Sequence, residues 1–495
     1  MFKKILIVNR GEIAVRVIRA CKELGIISAA IYSDADKTSL HTLLADESYH
    51  IGAAPASESY LNKNKILDLA KKIKADAIHP GYGFFSENSD FIQAVENAGI
   101  IFIGPSSKSV SKMGNKTEAR TLMSQNKVPI VPGATKPVKS INEGIKLASQ
   151  IGYPILLKAV AGGGGKGMRK INSQEEFSSS FEAVKREALK AFANDDIYIE
   201  KYINNPRHIE VQVFGDKLGN YVHLFERECS IQRRHQKIIE EAPSSFVDSE
   251  TREKITSAAI KAAKACGYYN AGTIEFLMDS NKNFYFLEMN TRIQVEHPVT
   301  ELITGKDLVK EQIAVASGKP LSFTQNEIKI NCHSIEARIY AEDPQNNFLP
   351  STGNILNYYE PSGPGVRVDS GIRRDSAVTV YYDPLVAKLV CWDSNRDNAI
   401  KKILQALGEY NISGITNNIS FLTKILSSEK FIKGDFDISF LEREKILFDS
   451  PESNLVDADM QKASAILAGL LKMRTNVFQR KSDAVSNKWI EQNYE

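Results

Sequence analysis

The first hundred residues alternate short runs of apolar side chains with longer stretches whose apolar positions recur every three to four residues. Residues 4–8 (KILIV), 28–32 (SAAIY), 75–79 (ADAIH) and 100–103 (IIFI) read as buried strands, the last two stopped by glycine or proline, while residues 13–24 carry helical spacing. Such alternation predicts βαβ units and a parallel sheet. A dinucleotide site is not expected there. The first turn reads Asn9-Arg10-Gly11-Glu12 and lacks the G-x-G-x-x-G that lets a pyrophosphate approach a helix N-terminus.

Beyond this region a second unit spans about residues 130–205 and holds the most glycine-rich stretch of the chain. A third, to about residue 447, mixes strand signals with a helical segment at 250–266. From about 448 the pattern becomes a linker, a helical run around 463–473 and a polar tail, and no internal repeat interrupts the order.

Composition narrows the function classes. The 495 residues allow about three domains. With 42% hydrophobic and 25% charged residues the chain is ordinary globular protein. The 63 Lys and Arg against 60 Asp and Glu leave no field that would attract nucleic acid or a membrane surface. Five scattered cysteines form no C-x-x-C pair, and neither a signal-peptide core nor an apolar run of about 18 residues is present. A cytoplasmic protein with reduced thiols is expected.

Three stretches carry candidate chemistry. Tyr153-Pro-Ile-Leu-Leu-Lys158 runs into Gly162, Gly163, Gly164, Gly165, Lys166, Gly167 and Met168. Consecutive glycines let backbone N–H groups close over phosphate oxygens, and lysines neutralise their charge. It is not a Walker A loop, since Gly167 stands where Ser or Thr would follow the lysine, and a flexible hairpin tip has the same composition. Next, Thr273 to Asp279 and Phe284 to Asn290 flank a four-residue turn. If Asp279 faces Phe284, Leu277 lies opposite Phe286 and Glu275 opposite Glu288. Two like charges there repel unless a divalent cation sits between them. The strand is then expected to continue with Glu288, Asn290, Arg292, Gln294 and Glu296 at alternate positions on one face, a mixture of metal ligands, an oxyanion-binding fork and a carboxylate base suited to a polar cleft. Two further segments stay open: residues 226–237 read equally as a charged surface strand or as clustered donors, and residues 79–88 as a plain turn or a loop facing substrate.

Taken together these stretches resemble the biotin carboxylase family of ATP-grasp enzymes. The likeness covers about residues 1–447 in order and includes Asn9-Arg-Gly-Glu-Ile-Ala14, His79-Pro-Gly-Tyr-Gly-Phe84, Gly162 to Met168, Gln232-Arg-Arg-His-Gln-Lys237, Glu288 through Glu301 and Ala341-Glu-Asp-Pro344. It implies an α/β protein with a Rossmann-like N-terminal (pre-ATP-grasp) domain at 1–115, a linker and mobile Gly-rich ATP-grasp lid at 116–205, an ATP-grasp catalytic part at 206–330, a mixed α+β C-terminal biotin carboxylase domain at 331–447, and a tail at 448–495.

The resemblance also implies roles. Lys116, Lys158, the glycine loop, Glu200, Lys201, His208, Gln232 and His235 would contact ATP. Glu275 and Glu288, with Asn290 beside them, would hold two magnesium or manganese ions. Arg292, Gln294 and the backbone at Val295 would bind bicarbonate, Lys237 would bridge it to the γ-phosphate, and Glu296 would be the base. Arg338 would stabilise the biotin enolate, with Tyr82 lining the biotin pocket. Leu471-Lys472-Met473 only partly matches the biotin-attachment signature, so the biotin carboxyl carrier protein and the carboxyltransferase are expected as partner chains, with two copies of this chain forming a homodimer. An acetyl-CoA or propionyl-CoA carboxylase is the favoured complex and a two-subunit pyruvate carboxylase the alternative. A different ATP-grasp ligase would not account for Arg292 to Glu296 together with Arg338, and a non-catalytic scaffold would lack the metal and base residues.

Overall fold

The computed structural model describes residues 2–134, 137–159, 168–192 and 194–445. The N-terminal alternation folds as β1 (Lys4–Ile7), β2 (Ile27–Ser33), β3 (Glu47–Gly52), β4 (Ala77–His79) and β5 (Ile101–Phe102), an all-parallel sheet in the order β3-β2-β1-β4-β5. The helix α1 (Gly11–Glu23) follows β1 and buries Ile13, Ala14, Val17, Ile18 and Cys21. The apolar pattern does not reveal β3, an edge strand of mixed polarity that needs only one packed side. At the end of β1, Asn9 Nδ2 donates to the carbonyls of Pro80 (2.6 Å) and Tyr82 (2.7 Å) and so ties this turn to the loop after β4. Gly81 permits the approach: its φ is +60°, and a Cβ there would lie 3.0 Å from Asn9 Nδ2.

The glycine-rich unit contains a three-stranded antiparallel sheet of β6 (Ile155–Ala159), β7 (Met168–Ile171) and β8 (Ile197–Lys201), in the order β7-β6-β8. Helices Ile141–Ile151 and Phe177–Phe192 pack on it over a core that includes Leu157, Phe177, Phe181 and Ile199.

The third region is dominated by an eight-stranded antiparallel sheet. Its first six strands in spatial order are β13 (Phe284–Asn290), β12 (Asn270–Met278), β9 (Arg207–Gly215), β10 (Tyr221–Arg233), β11 (Gln236–Ala242) and β14 (His333–Tyr340), followed by strands Leu385–Asp393 and Val366–Ser370. The β11–β14 pairing carries the sheet across residue 330 without a break. Helix Ser249–Ala265, which matches the segment expected at 250–266, covers β9, β10 and β12 with Ile255, Ala258, Ala259 and Ala262. Among the described residues no helix is long and apolar enough to cross a membrane. The loop residues Gly162 to Gly167, including Lys166, and the expected tail from 448 with Leu471-Lys472-Met473 lie outside the described residues.

Candidate active site

One cavity of about 1200 Å³ lies where the three regions meet. Its walls include every sequence-predicted site residue that the structure describes: Tyr82, Lys116, Lys158, Met168, Glu200, Lys201, His208, Gln232, His235, Lys237, Glu275, Glu288, Asn290, Arg292, Gln294, Val295, Glu296 and Arg338.

The opposition of Glu275 and Glu288 is present, but it is reached by a different register from the expected one. Phe284 faces Met278 rather than Asp279, and Phe286 faces Phe276 rather than Leu277. Asp279 instead closes the turn, its N–H donating to Asn283 O at 2.9 Å. A bulge then shifts the pairing between Phe276 and Glu275, leaving Leu287 as the extra residue and restoring Glu275 opposite Glu288. The expected continuation of the strand is also corrected. β13 ends at Asn290, and residues 291–296 form an irregular loop leading into helix His297–Thr304. Glu87 holds that loop in place of a ladder, accepting from Thr291 N–H (2.9 Å) and Arg292 Nε (2.9 Å). Segment 79–88 therefore faces the site, through Tyr82 in the cavity wall and Glu87 on the loop.

Charge organises the floor. Lys237 Nζ donates to Glu210 (2.5 Å), Glu296 (2.7 Å) and Glu275 (2.9 Å), which uses all three of its protons. Burial alone would lower its pKa, yet the three carboxylates hold it well above the usual lysine value. Burial pushes Glu296 up, but Lys237, Arg338 and Arg227 reverse this and keep it a carboxylate. Glu275 is likewise held well below its ordinary value against burial, by Lys237 and His208, and it accepts from Asn290 Nδ2 (2.7 Å) and Gln294 Nε2 (2.9 Å). Glu288 lines the cavity with an exposed side chain, and desolvation by the surrounding wall and the charge of Glu275 raise its pKa. Arg338 Nε donates to Glu240 (2.7 Å) and its Nη2 to Glu296 (3.0 Å).

These pairings fit a divalent cation. Two carboxylates face each other across a bulged hairpin, and one has its proton affinity raised by the other. Ligand atoms of His208, Glu210 and Glu275 also lie within 4.8 Å of one another. On the side of the glycine-rich sheet Glu200 accepts from Lys158 (2.6 Å) and Arg120 (2.8 Å), while Lys201 Nζ is committed to the carbonyls of Gly152 and Tyr153.

The structure adds residues that motif reading passed over. Glu210 pairs with Lys237 and Arg227. Arg227 is fully buried and spends five contacts on Glu210, Gln212, Thr273, Thr300 and Gln294, the last at 2.5 Å, so it orients the Gln294 amide. Segment 226–237 is accordingly no surface strand, since Glu226, Arg227 and Glu228 are buried. The sequence signal for Glu210 is the alternation of His208, Glu210 and Gln212 with Ile209, Val211 and Val213. Lys388, buried in strand Leu385–Asp393, donates to the Val295 carbonyl at 2.8 Å, and Glu12 accepts from the Tyr82 hydroxyl.

Comparison with known proteins gives three family matches in chain order: biotin carboxylase, N-terminal domain, at residues 1–110; carbamoyl-phosphate synthase L chain, ATP binding domain, at 115–324; and biotin carboxylase C-terminal domain, at 336–443. Biotin carboxylase 1 of Bacillus subtilis (strain 168) is 52% identical over 443 residues, covering 89% of this chain and 98% of that protein. The methylcrotonoyl-CoA carboxylase subunit alpha of Dictyostelium discoideum is 48% identical over 487 residues, 98% of this chain and 69% of its own length. Among solved structures, the biotin carboxylase domain dimer of Hydrogenobacter thermophilus 2-oxoglutarate carboxylase, in complex with MgADP, ADP and bicarbonate, superposes with a TM-score of 0.85 at 50% identity, covering 91% of this chain and all of that one.

Proposed function

The chain belongs to the biotin carboxylase family, and from that premise we propose how its cavity divides the ATP- and bicarbonate-dependent carboxylation of biotin among named residues. The observation that carries the reading is Glu296, buried as a carboxylate between Lys237 and Arg338 and beside Gln294. Bicarbonate is a poor nucleophile. Arg292, Gln294 and the backbone at Val295 hold it, and Glu296 removes its proton. Its oxygen then attacks the γ-phosphorus of ATP, forming a new P–O bond as the bond to the bridging oxygen breaks and ADP leaves. Lys237 spreads the charge of that transfer, and it reaches a phosphoryl oxygen only by releasing one of its three carboxylates. Magnesium or manganese held by Glu275 and Glu288 beside Asn290 would neutralise the phosphate charge.

The carboxyphosphate so formed splits to CO₂ and phosphate. Phosphate takes the ureido N–H proton of biotin, the nitrogen attacks CO₂, and Arg338 offsets the charge left on the ureido oxygen while Tyr82 lines the pocket. Lys116, Lys158, Met168, Glu200, Lys201, His208, Gln232, His235 and the glycine loop serve ATP. Within residues 116–205, a linker followed by the lid subdomain, the Gly-rich unit from about residue 130 acts as the lid that excludes water from the intermediate.

Biotin reaches the site on a carrier protein, and a carboxyltransferase passes the carboxyl group on. The acceptor is an acyl-CoA. What supports this is a relative whose match runs through 98% of the chain, a methylcrotonoyl-CoA carboxylase subunit alpha, and methylcrotonoyl-CoA joins acetyl-CoA and propionyl-CoA among the candidates. Two copies of the chain pair, as the 2-oxoglutarate carboxylase domain does in its crystal.

Bicarbonate-dependent ATP hydrolysis stimulated by free biotin tests the activity. Glu296→Gln is expected to lower it by roughly 10²- to 10⁴-fold with ATP affinity retained. A comparable loss of ATP affinity would contradict its role as base. Co-purification of the native complex identifies the acceptor, and a pyruvate carboxyltransferase in place of an acyl-CoA one would overturn the acyl-CoA reading.

A further inference from the structure

Behind Arg338 lies a pair of acids that the proposed chemistry does not use. Glu240 of β11 and Glu336 of β14 are directly opposite in the antiparallel register, and both are fully buried. Directly opposed residues bring their Cβ atoms to about 5 Å, so the two carboxyl groups share one pocket. Glu240 Oε1 accepts from Arg338, but Glu240 Oε2 and both oxygens of Glu336 have no hydrogen-bond partner. Three orphaned oxygens in one buried pocket require a donor.

The neighbouring cations do not supply it. Lys388, opposite Arg338 on strand Leu385–Asp393, donates to Val295 O and sits 3.2 Å from Glu12. Arg338 is spent on Glu240 and Glu296. Helix His297–Thr304 packs on both strands, but His297 bonds through Nδ1 to Gln294 O and burial holds its pKa down at about 3, so the ring stays neutral. Glu301 of the same helix pairs with Arg16 and Arg367. On the opposite face, Arg396 of helix Arg396–Glu409 is taken by Glu241.

We propose that Glu240 and Glu336 share a single proton, a carboxylic acid hydrogen-bonded to a carboxylate, so that Arg338 is faced by one negative charge from this pair instead of two. The shared proton joins Glu240 Oε2 to one oxygen of Glu336, and two buried like charges need not coexist. Burial pushes both groups up, Glu240 to about 7 despite Arg338, and Glu336 well above its ordinary value despite Lys388. Such a pair titrates as a unit. Its members are positioning residues. With one carboxylate behind it, Arg338 keeps positive character for the ureido oxygen. Loss of the shared proton at higher pH adds a second negative charge and weakens that service.

The functional part rests on the role given to Arg338 above, and the spectroscopic part does not. Infrared spectra of the intact protein near neutral pH are expected to contain a protonated carboxylic acid carbonyl band that disappears in Glu336→Gln and also in Glu240→Gln, because either substitution leaves a single carboxylate facing Arg338. A band that persists in Glu240→Gln would show a proton belonging to Glu336 alone, and absence of any such band in the native protein would overturn the pair outright. In Glu336→Gln the alkaline fall of kcat/KM for biotin is expected to vanish or move to higher pH. An unmoved alkaline limb, with the bands behaving as described, would overturn the link to Arg338 while leaving the shared proton standing.

Discussion

The large antiparallel sheet and the three-stranded glycine-rich unit each present a lysine to the same cavity, but they hold it differently. Lys237 is 13% exposed and grips three carboxylates contributed by β9, β12 and the loop after β13. Lys158 is 29% exposed and pairs with Glu200, which it shares with Arg120. The sheet fixes its charges against one another before substrate arrives, so the reacting groups meet a preorganised field. The small unit leaves its lysine more open to solvent with a single carboxylate shared by two cations, and in the proposed function a polyphosphate takes the place of that carboxylate.

Stability measurements can break that contrast. Lys237→Met removes the one cation shared by three buried carboxylates, leaving Glu210 to Arg227, Glu275 to His208 and Glu296 to Arg338, and is expected to cost about 3 kcal/mol in urea unfolding at neutral pH. The buried acids of the same body make it acid-labile. Glu301 is pushed up by burial but held down at about 2 by Arg16 and Arg367, below its ordinary 4.5. Its contribution is therefore complete above the unfolded-state value and lost as pH falls from about 4.5 through about 2. Glu301→Gln should flatten stability against pH in that window. Glu288→Gln removes a like charge facing Glu275, so Tm without added metal should rise, by an amount corresponding to at most about 1 kcal/mol, while the stabilisation by Mg²⁺ shrinks. Smallest is Lys158→Met, expected to change unfolding free energy by less than about 1 kcal/mol while raising KM for ATP. Similar stability losses for Lys237→Met and Lys158→Met would abolish the distinction between the two regions.

Much of the site was legible because its residues sit at short, regular spacing. Asn290, Arg292, Gln294 and Glu296 alternate in the sequence and converge on the cavity, although the backbone beyond Asn290 is a loop held by Glu87. The opposition of Glu275 and Glu288 was likewise anticipated, yet through a register the structure does not have. A strict two-residue period cannot foresee a bulge, which inserts one residue without any mark in the apolar pattern. β3 escaped for a related reason, since an edge strand need not be apolar throughout.

What the sequence by itself determined is the kind of the strongly patterned elements and the chemistry they can carry: their strands and helices follow from side-chain periodicity, and the six ordered motifs place acids, bases and cations on or beside them. Only the tertiary structure decided which charges face one another. Glu210 beneath Lys237, Arg227 against Gln294, Lys388 under Val295 and Glu336 across from Glu240 bring together residues 27, 67, 93 and 96 positions apart. Strand order and register set those meetings, and the cost of leaving a buried charge unpaired then selects the partners, an energy that no local pattern of the chain encodes.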